Sequence, residues 1–185
     1  IHKYVYSHNV LLSYDKEVKK ALNSLYKLIS QKFGKFTKVE NWIIQRIDLC
    51  YAWKFKSQQE AEVVLSFLQS FNFPRKKKST YDTSVMYIGS SYSLKFYLKY
   101  EEFYKHDFRH LRDYYSYDFA YKTLNMARGV LRFEATLRKK YLSYQLGEDL
   151  SVSDIDSVWR MTTICSLLEK FMGGFNVEYM KKSDI

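Results

Sequence analysis

The segment Val130–Arg138 alternates without a break. Leu131, Phe133, Ala135 and Leu137 fall on one side of an extended chain, and Arg132, Glu134, Thr136 and Arg138 fall on the other. Side chains of a strand point to opposite faces in turn, so this pattern reads as a β-strand with one face in a core. Two further segments repeat it. In Asn41–Trp53, rich in aromatic and β-branched residues, Ile43, Ile47 and Leu49 share a side with Gln45, while Arg46, Asp48 and Cys50 take the other. In the return strand of a hairpin, read as Leu94 to about Phe103, Phe96 and Leu98 lie opposite Lys95, Tyr97 and Lys99. Three strands of this kind imply an α+β sandwich: a single, mainly antiparallel sheet with helices on its apolar face and a polar face on the other side.

Helical spacing fills the intervals. Val18, Leu22, Leu25, Ile29 and Phe33 recur every three or four residues between Ser13 and Gly34, and the glycine is a natural stop. Ser57-Gln58-Gln59-Glu60 is a capping box, followed by an apolar face of Ala61, Val64, Leu65, Leu68 and Phe71. Arg75-Lys76-Lys77-Lys78 after Pro74, the chain's single proline, reads as a basic loop. Tyr81–Ile88 reads as a strand and Gly89-Ser90-Ser91 as a turn. His106–Arg128 reads as one helix closed by Gly129, and a last helix runs from near Ser153 to Gly173-Gly174.

The 185 residues suit one domain, or one with an appendage, and 46% hydrophobic residues suffice for a core. No apolar run approaches the roughly 20 residues of a membrane span, and no secretory signal opens the chain. The chain starts at Ile1 and not Met, which we read as a trimmed form with an N-terminal part outside it. Cys50 and Cys165 make neither a disulfide framework nor a metal knuckle, so a reducing cytoplasm is expected. Charge divides the chain. Residues 1–147 carry 26 basic and 13 acidic side chains, whereas residues 148–185 carry 4 and 7. A basic body with 18 Tyr and 13 Phe suits a polyanion that has faces to stack on, such as nucleic acid.

The polar strand faces carry an inventory that goes beyond wetness. Asp48 and Glu134 are lone mid-strand carboxylates beside Arg46 and Arg132. On neighbouring strands they could hold a hard divalent ion through oxygen, or they could simply pair with those arginines. Tyr97 between Lys95 and Lys99 suits a phosphate-directed nucleophile, the lysines attracting the phosphodiester and favouring the phenolate.

These same segments resemble a known family. Trp42-Ile43-Ile44-Gln45-Arg46-Ile47-Asp48, Lys95-Phe96-Tyr97-Leu98-Lys99-Tyr100-Glu101-Glu102 and Ala127–Leu142 resemble, in order and separation, motifs of rolling-circle replication initiators of the phage and plasmid gene II/X family. The similarity covers about residues 7–147. Such enzymes nick one strand of a duplex origin through a tyrosine, become joined to the 5′ phosphate, and later rejoin the strand. The resemblance implies Tyr97 as nucleophile, with Tyr141 as the alternative, and Asp48 and Glu134 as ligands of Mg2+ or Mn2+. Lys99 and Arg132 would support catalysis. Arg46, Lys95, Arg138 and the run Arg75, Lys76, Lys77 and Lys78 would contact DNA. On strand parity, Glu102 lies on the apolar side with Phe96 and Leu98.

Expected partners are origin DNA, single- and double-stranded, with host helicase and polymerase, in the cytoplasm of a bacterial host; a dimer is one candidate assembly. Residues 1–147 would form the nicking domain and 148–185 an acidic helical appendage, packed through Ile155, Trp159, Leu167 and Leu168. His106 and His110 stand four apart on a helix, but the four histidines include no H-x-H pair. Two other functions fit the same residues: a non-catalytic single-strand binding module, and a metal nuclease that uses water.

Overall fold

The structure is a computed structural model that describes residues 16–34, 38, 41–146, 151, 169 and 173. The expected C-terminal helix, with Ile155, Trp159, Cys165, Leu167 and Leu168, lies outside the described residues, as does most of the 148–185 appendage. The chain runs α1 (Lys16–Phe33), β1 (Arg46–Lys54), α2 (Gln58–Ser70), β2 (Lys77–Tyr81), β3 (Ser84–Ile88), β4 (Tyr92–Leu98), α3 (Lys99–His106), α4 (Phe108–Tyr114), α5 (Tyr117–Ala127), β5 (Val130–Arg138) and α6 (Lys139–Leu146). The strands form one five-stranded sheet in the order β1-β5-β4-β3-β2, antiparallel at every pairing. This is the α+β sheet that the alternation implied.

One face of the sheet is the core. Ile47 and Leu49 of β1, Leu131, Phe133, Ala135 and Leu137 of β5, Leu94, Phe96 and Leu98 of β4, and Val85 and Tyr87 of β3 pack with Ala61 and Leu65 of α2. Phe96 and Phe133, directly opposite in register, hold their rings 4.8 Å apart. Burying each such side chain stabilises the fold by about 1.5–3 kcal/mol. A second cluster joins the three short helices through Phe103, Leu111, Ala120, Leu124 and Ala127.

Local signals explain where elements begin and end. Gly34, at φ +86, ends α1 in the left-handed conformation that glycine adopts without strain. Ser57 Oγ accepts the Glu60 amide at 3.1 Å, while the Glu60 carboxylate accepts the amide of Lys56 at 3.0 Å. The capping box therefore closes one residue earlier than its usual form. Gly129, at φ +68, lets the chain pass against the α2 start: a Cβ there would lie 3.0 Å from the carbonyl oxygens of Phe55 and Ser57.

Four expectations are corrected. The strand read as Asn41–Trp53 begins only at Arg46, and Asn41–Gln45 holds a short helical turn and an isolated bridge from Ile43 to Ser151. The basic run is not one loop: Lys77 and Lys78 already belong to β2, an edge strand turned back onto β3 at Asp82-Thr83. The return strand stops at Leu98, where α3 begins, because Tyr100 and Phe103 at helical spacing join the helical cluster and not the sheet. The single helix read as His106–Arg128 is the last residue of α3, then α4 and α5, broken at Asp107 and again where Ser116 caps α5 through the Phe119 amide at 3.1 Å.

Candidate active site

Register decides which polar groups share the face away from the core. Residues directly opposite in antiparallel strands point the same way. Cys50 faces Glu134, and Glu134 faces Lys95; one row on, Ala52 faces Arg132, and Arg132 faces Tyr97. Asp48 faces Thr136, and Arg46 faces Arg138. Asp48, Glu134 and Tyr97 therefore all lie on the same side of the sheet.

Tyr97 and Glu134 meet on the diagonal between β4 and β5. The Tyr97 hydroxyl donates to Glu134 Oε1 at 2.6 Å, and Arg132 NH1 donates to the phenol oxygen at 3.5 Å. Lys95 Nζ sits 4.3 Å above the Tyr97 ring centre. Tyr97 is only 3% exposed. Burial pushes its phenol well above the ordinary value; Arg132 opposes this, and the charge and hydrogen bond of Glu134 reinforce it. The expectation that flanking lysines favour the phenolate is corrected here. The phenol is held protonated, with a carboxylate placed to take the proton. Burial alone would lower the Arg132 pKa, but Cys50, Tyr97 and Glu134 hold it up, so the guanidinium stays charged.

Lys99 is fully buried in the first turn of α3 and pairs with Glu102, which the helix brings back beside it. The strand-parity placement of Glu102 on the apolar side is thereby overturned. Burial lowers the Lys99 pKa against the pull of Glu102. A cavity of about 210 Å³ opens next to these groups, lined by Tyr81, Ser84, Lys95, Tyr97, Glu102 and His106, among others. Lys105 and the β2–β3 residues escaped sequence reasoning, and His106 was weighed only with His110, because they reach the cavity only through the early strand end and the extra strand.

Asp48 stands apart from the phenol. Its row lies beyond that of Glu134, and its carboxylate accepts Arg46 Nε at 2.9 Å. Among the described residues no group of three His, Cys, Asp or Glu side chains could enclose a metal. Asp48 and half-buried Glu134 are oxygen donors of the kind a hard divalent ion takes, with Asp48 already held by Arg46. Arg46 also donates to Thr136 Oγ1 at 3.5 Å.

The remaining candidates scatter. Arg138 NH1 donates to Gly89 O at 2.9 Å and to Ser93 Oγ at 3.2 Å, which anchors the β3–β4 turn. Lys76 folds onto that turn as well, donating to Tyr92 O at 3.1 Å with its ammonium 3.2 Å from the Tyr92 ring centre. Arg75 occupies the turn at φ +59. Lys77 points to the Tyr97 side of β2, and Lys78, opposite Tyr87, points to the core side. Tyr141, the alternative nucleophile, belongs to the core cluster, its ring 5.1 Å from that of Tyr92. It packs on the core side of the sheet, the face opposite to that of Glu134 and Arg132.

No helix among the described residues is long and apolar enough to cross a membrane. No curated protein and no solved structure matches the chain. Residues 1–155 match the family model that describes the N-terminal part of the replication-associated gene II protein, so the chain belongs to that family of gene II-type rolling-circle replication initiators, proteins whose partner is DNA.

Proposed function

We propose that this initiator nicks one strand of its origin with Tyr97 as nucleophile and later rejoins it. The observation that carries the reading is the 2.6 Å hydrogen bond from the Tyr97 hydroxyl to Glu134 Oε1, with Arg132 on the same oxygen. Glu134 takes the phenolic proton as the Tyr97 oxygen bonds to phosphorus. The bond from phosphorus to the 3′ oxygen breaks, leaving a 3′ hydroxyl, protonated from solvent, and a 5′-phosphotyrosine. Arg132 meets the negative charge that builds on the attacked phosphate. Rejoining is the reverse: a 3′ hydroxyl attacks the phosphotyrosine, and Tyr97 recovers its proton from Glu134.

Asp48 and Glu134 are the residues that would hold Mg2+ or Mn2+. When bound, the ion would supply charge neutralisation at the phosphate. Arg46, Lys77 and Lys95, on the same face, suit contacts to the DNA backbone. Host helicase and polymerase are the expected partners, in the cytoplasm of the host.

The 3% exposure of Tyr97 favours a second reading, a metal nuclease in which water attacks and the tyrosine only packs. One assay separates the two. The protein is incubated with supercoiled plasmid bearing the element's own origin and Mg2+ or Mn2+, and the nicked product is examined for covalent protein. Nicked circles carrying protein at a 5′ end support the tyrosine reading. Protein-free nicks support the hydrolase, and an absence of nicking in both ions overturns both.

A further inference from the structure

The helices beyond the cavity expose an unusual row of rings. Tyr104, Tyr117 and Tyr121 are 59%, 58% and 47% exposed. With half-buried Phe108 they form a continuous series: Tyr104 to Phe108 is 5.6 Å between ring centres with planes 35° apart, Phe108 meets Tyr117 edge to face at 6.1 Å and 88°, and Tyr117 to Tyr121 is 5.9 Å with planes 10° apart. Large rings of this kind cost free energy when left in water, and a run of them on one surface marks a binding partner. The row is continuous with the candidate active site, because Lys105 and His106, which line the Tyr97 cavity, lie between Tyr104 and Phe108 in α3 and the turn after it.

The chemistry of the row selects its occupant. Exposed aromatic faces at this spacing stack on unpaired bases, whereas a duplex keeps its base faces covered. On the same helices Lys105 and Lys122 supply charge for phosphates, while Arg109 and Arg112 are paired with Asp113. A second copy of the chain fits less well, since charged side chains are interleaved with the rings and protein interface centres are depleted of charge.

We propose that the α3–α5 surface is a single-strand DNA platform, with bases stacked along Tyr104, Phe108, Tyr117 and Tyr121 as the strand runs from the Tyr97 cavity. The purpose of such a platform rests on the nicking reading, but the binding itself does not.

The test uses the whole chain and a fluorescein-labelled oligo-dT of about 20 nucleotides, read by anisotropy beside a duplex of equal length. Tyr117→Ala/Tyr121→Ala should weaken oligo-dT binding on the order of 30-fold or more through loss of two base–ring stacks. Duplex affinity and the salt slope should change little, since no phosphate contact is removed. Tyr104→Ala, at the other end of the row, should weaken oligo-dT binding in the same direction. Unchanged oligo-dT affinity in both variants overturns the proposal, as does an equal loss on duplex. Sedimentation that shows a dimer dissolved by the double variant, with oligo-dT affinity intact, assigns the surface to a second copy and also overturns it. Tyr97→Phe is run in parallel. A normal adduct in that variant refutes the nicking reading while leaving the platform result to stand or fall by itself.

Discussion

Replacing Tyr97 by Phe removes one oxygen from the centre of the face and leaves the ring. That oxygen makes two polar contacts, 2.6 Å to Glu134 and 3.5 Å from Arg132, and its loss leaves a half-buried carboxylate without its donor. An abandoned buried polar group costs about 1–3 kcal/mol. For a domain of this size each kcal/mol shifts Tm by about 2–4 °C, so the variant should melt roughly 2–12 °C lower while still folding. Its ring still lies under Lys95, so binding to oligo-dT should stay within about twofold. The covalent adduct with nicked plasmid should vanish, because the hydroxyl that donates to Glu134 and accepts from Arg132 is the one removed. The assay is denaturing electrophoresis of labelled plasmid after nuclease trimming, with melting followed by circular dichroism. A lowered Tm with the adduct at unmodified yield would show that Tyr97 is only packed against Glu134, and the mechanism would be refuted.

Glu134→Gln keeps an acceptor for the phenol but cannot take its proton; adduct formation should slow by about 10²–10⁴-fold with DNA binding preserved, and an unchanged single-turnover rate would exclude the proton transfer. The combined change Arg75→Ala/Lys77→Ala should reduce the slope of log affinity against log salt by about 2, as measured by titration at several salt concentrations, whereas Lys76→Ala should mainly lower Tm, because that ammonium is spent on Tyr92. Gly129→Ala should destabilise by about 1–3 kcal/mol in urea unfolding, since φ +68 and two carbonyl oxygens at 3.0 Å leave no relaxed place for a methyl group. Lys99 has a lowered folded pKa, so the unfolded chain binds more protons between that value and the ordinary 10.5; stability should rise with pH through this window, and Lys99→Met should flatten the rise in paired urea titrations.

The sheet was legible because its polar and apolar residues alternate strictly. Val130–Arg138 is bounded as the alternation indicated, and its apolar half, with Phe96, Leu98, Ile47 and Leu49, makes the core. The shared face of Asp48, Glu134 and Tyr97 followed from parity alone. Parity fails where an element changes type. Lys99-Tyr100-Glu101 continues the alternation of the strand and only Glu102-Phe103 breaks it, yet Tyr100 and Phe103 bury better as a helix turn against α4 and α5. Lys77–Tyr81 hid as a strand because four of its five residues are polar, as befits a sheet edge. Distances were beyond sequence as well: the pairing of Asp48 with Arg46 was one of two readings its strand allowed, but nothing in the spacing says that Glu134 reaches the phenol.

The pairing of β4 with β5 has a further consequence for how this chain can vary. Lys95 and Tyr97 look across at Glu134 and Arg132 only because the two central strands keep count with each other. Side chains there can be exchanged one at a time, but a single inserted or deleted residue in β4 would turn the phenol into the hydrophobic interior and bring Phe96 or Leu98 out in its place, and one in β5 would do the same to Glu134 and Arg132 in exchange for Phe133 or Leu131. Sister sequences should therefore keep the spacing within these strands constant and confine length changes to the turns around them.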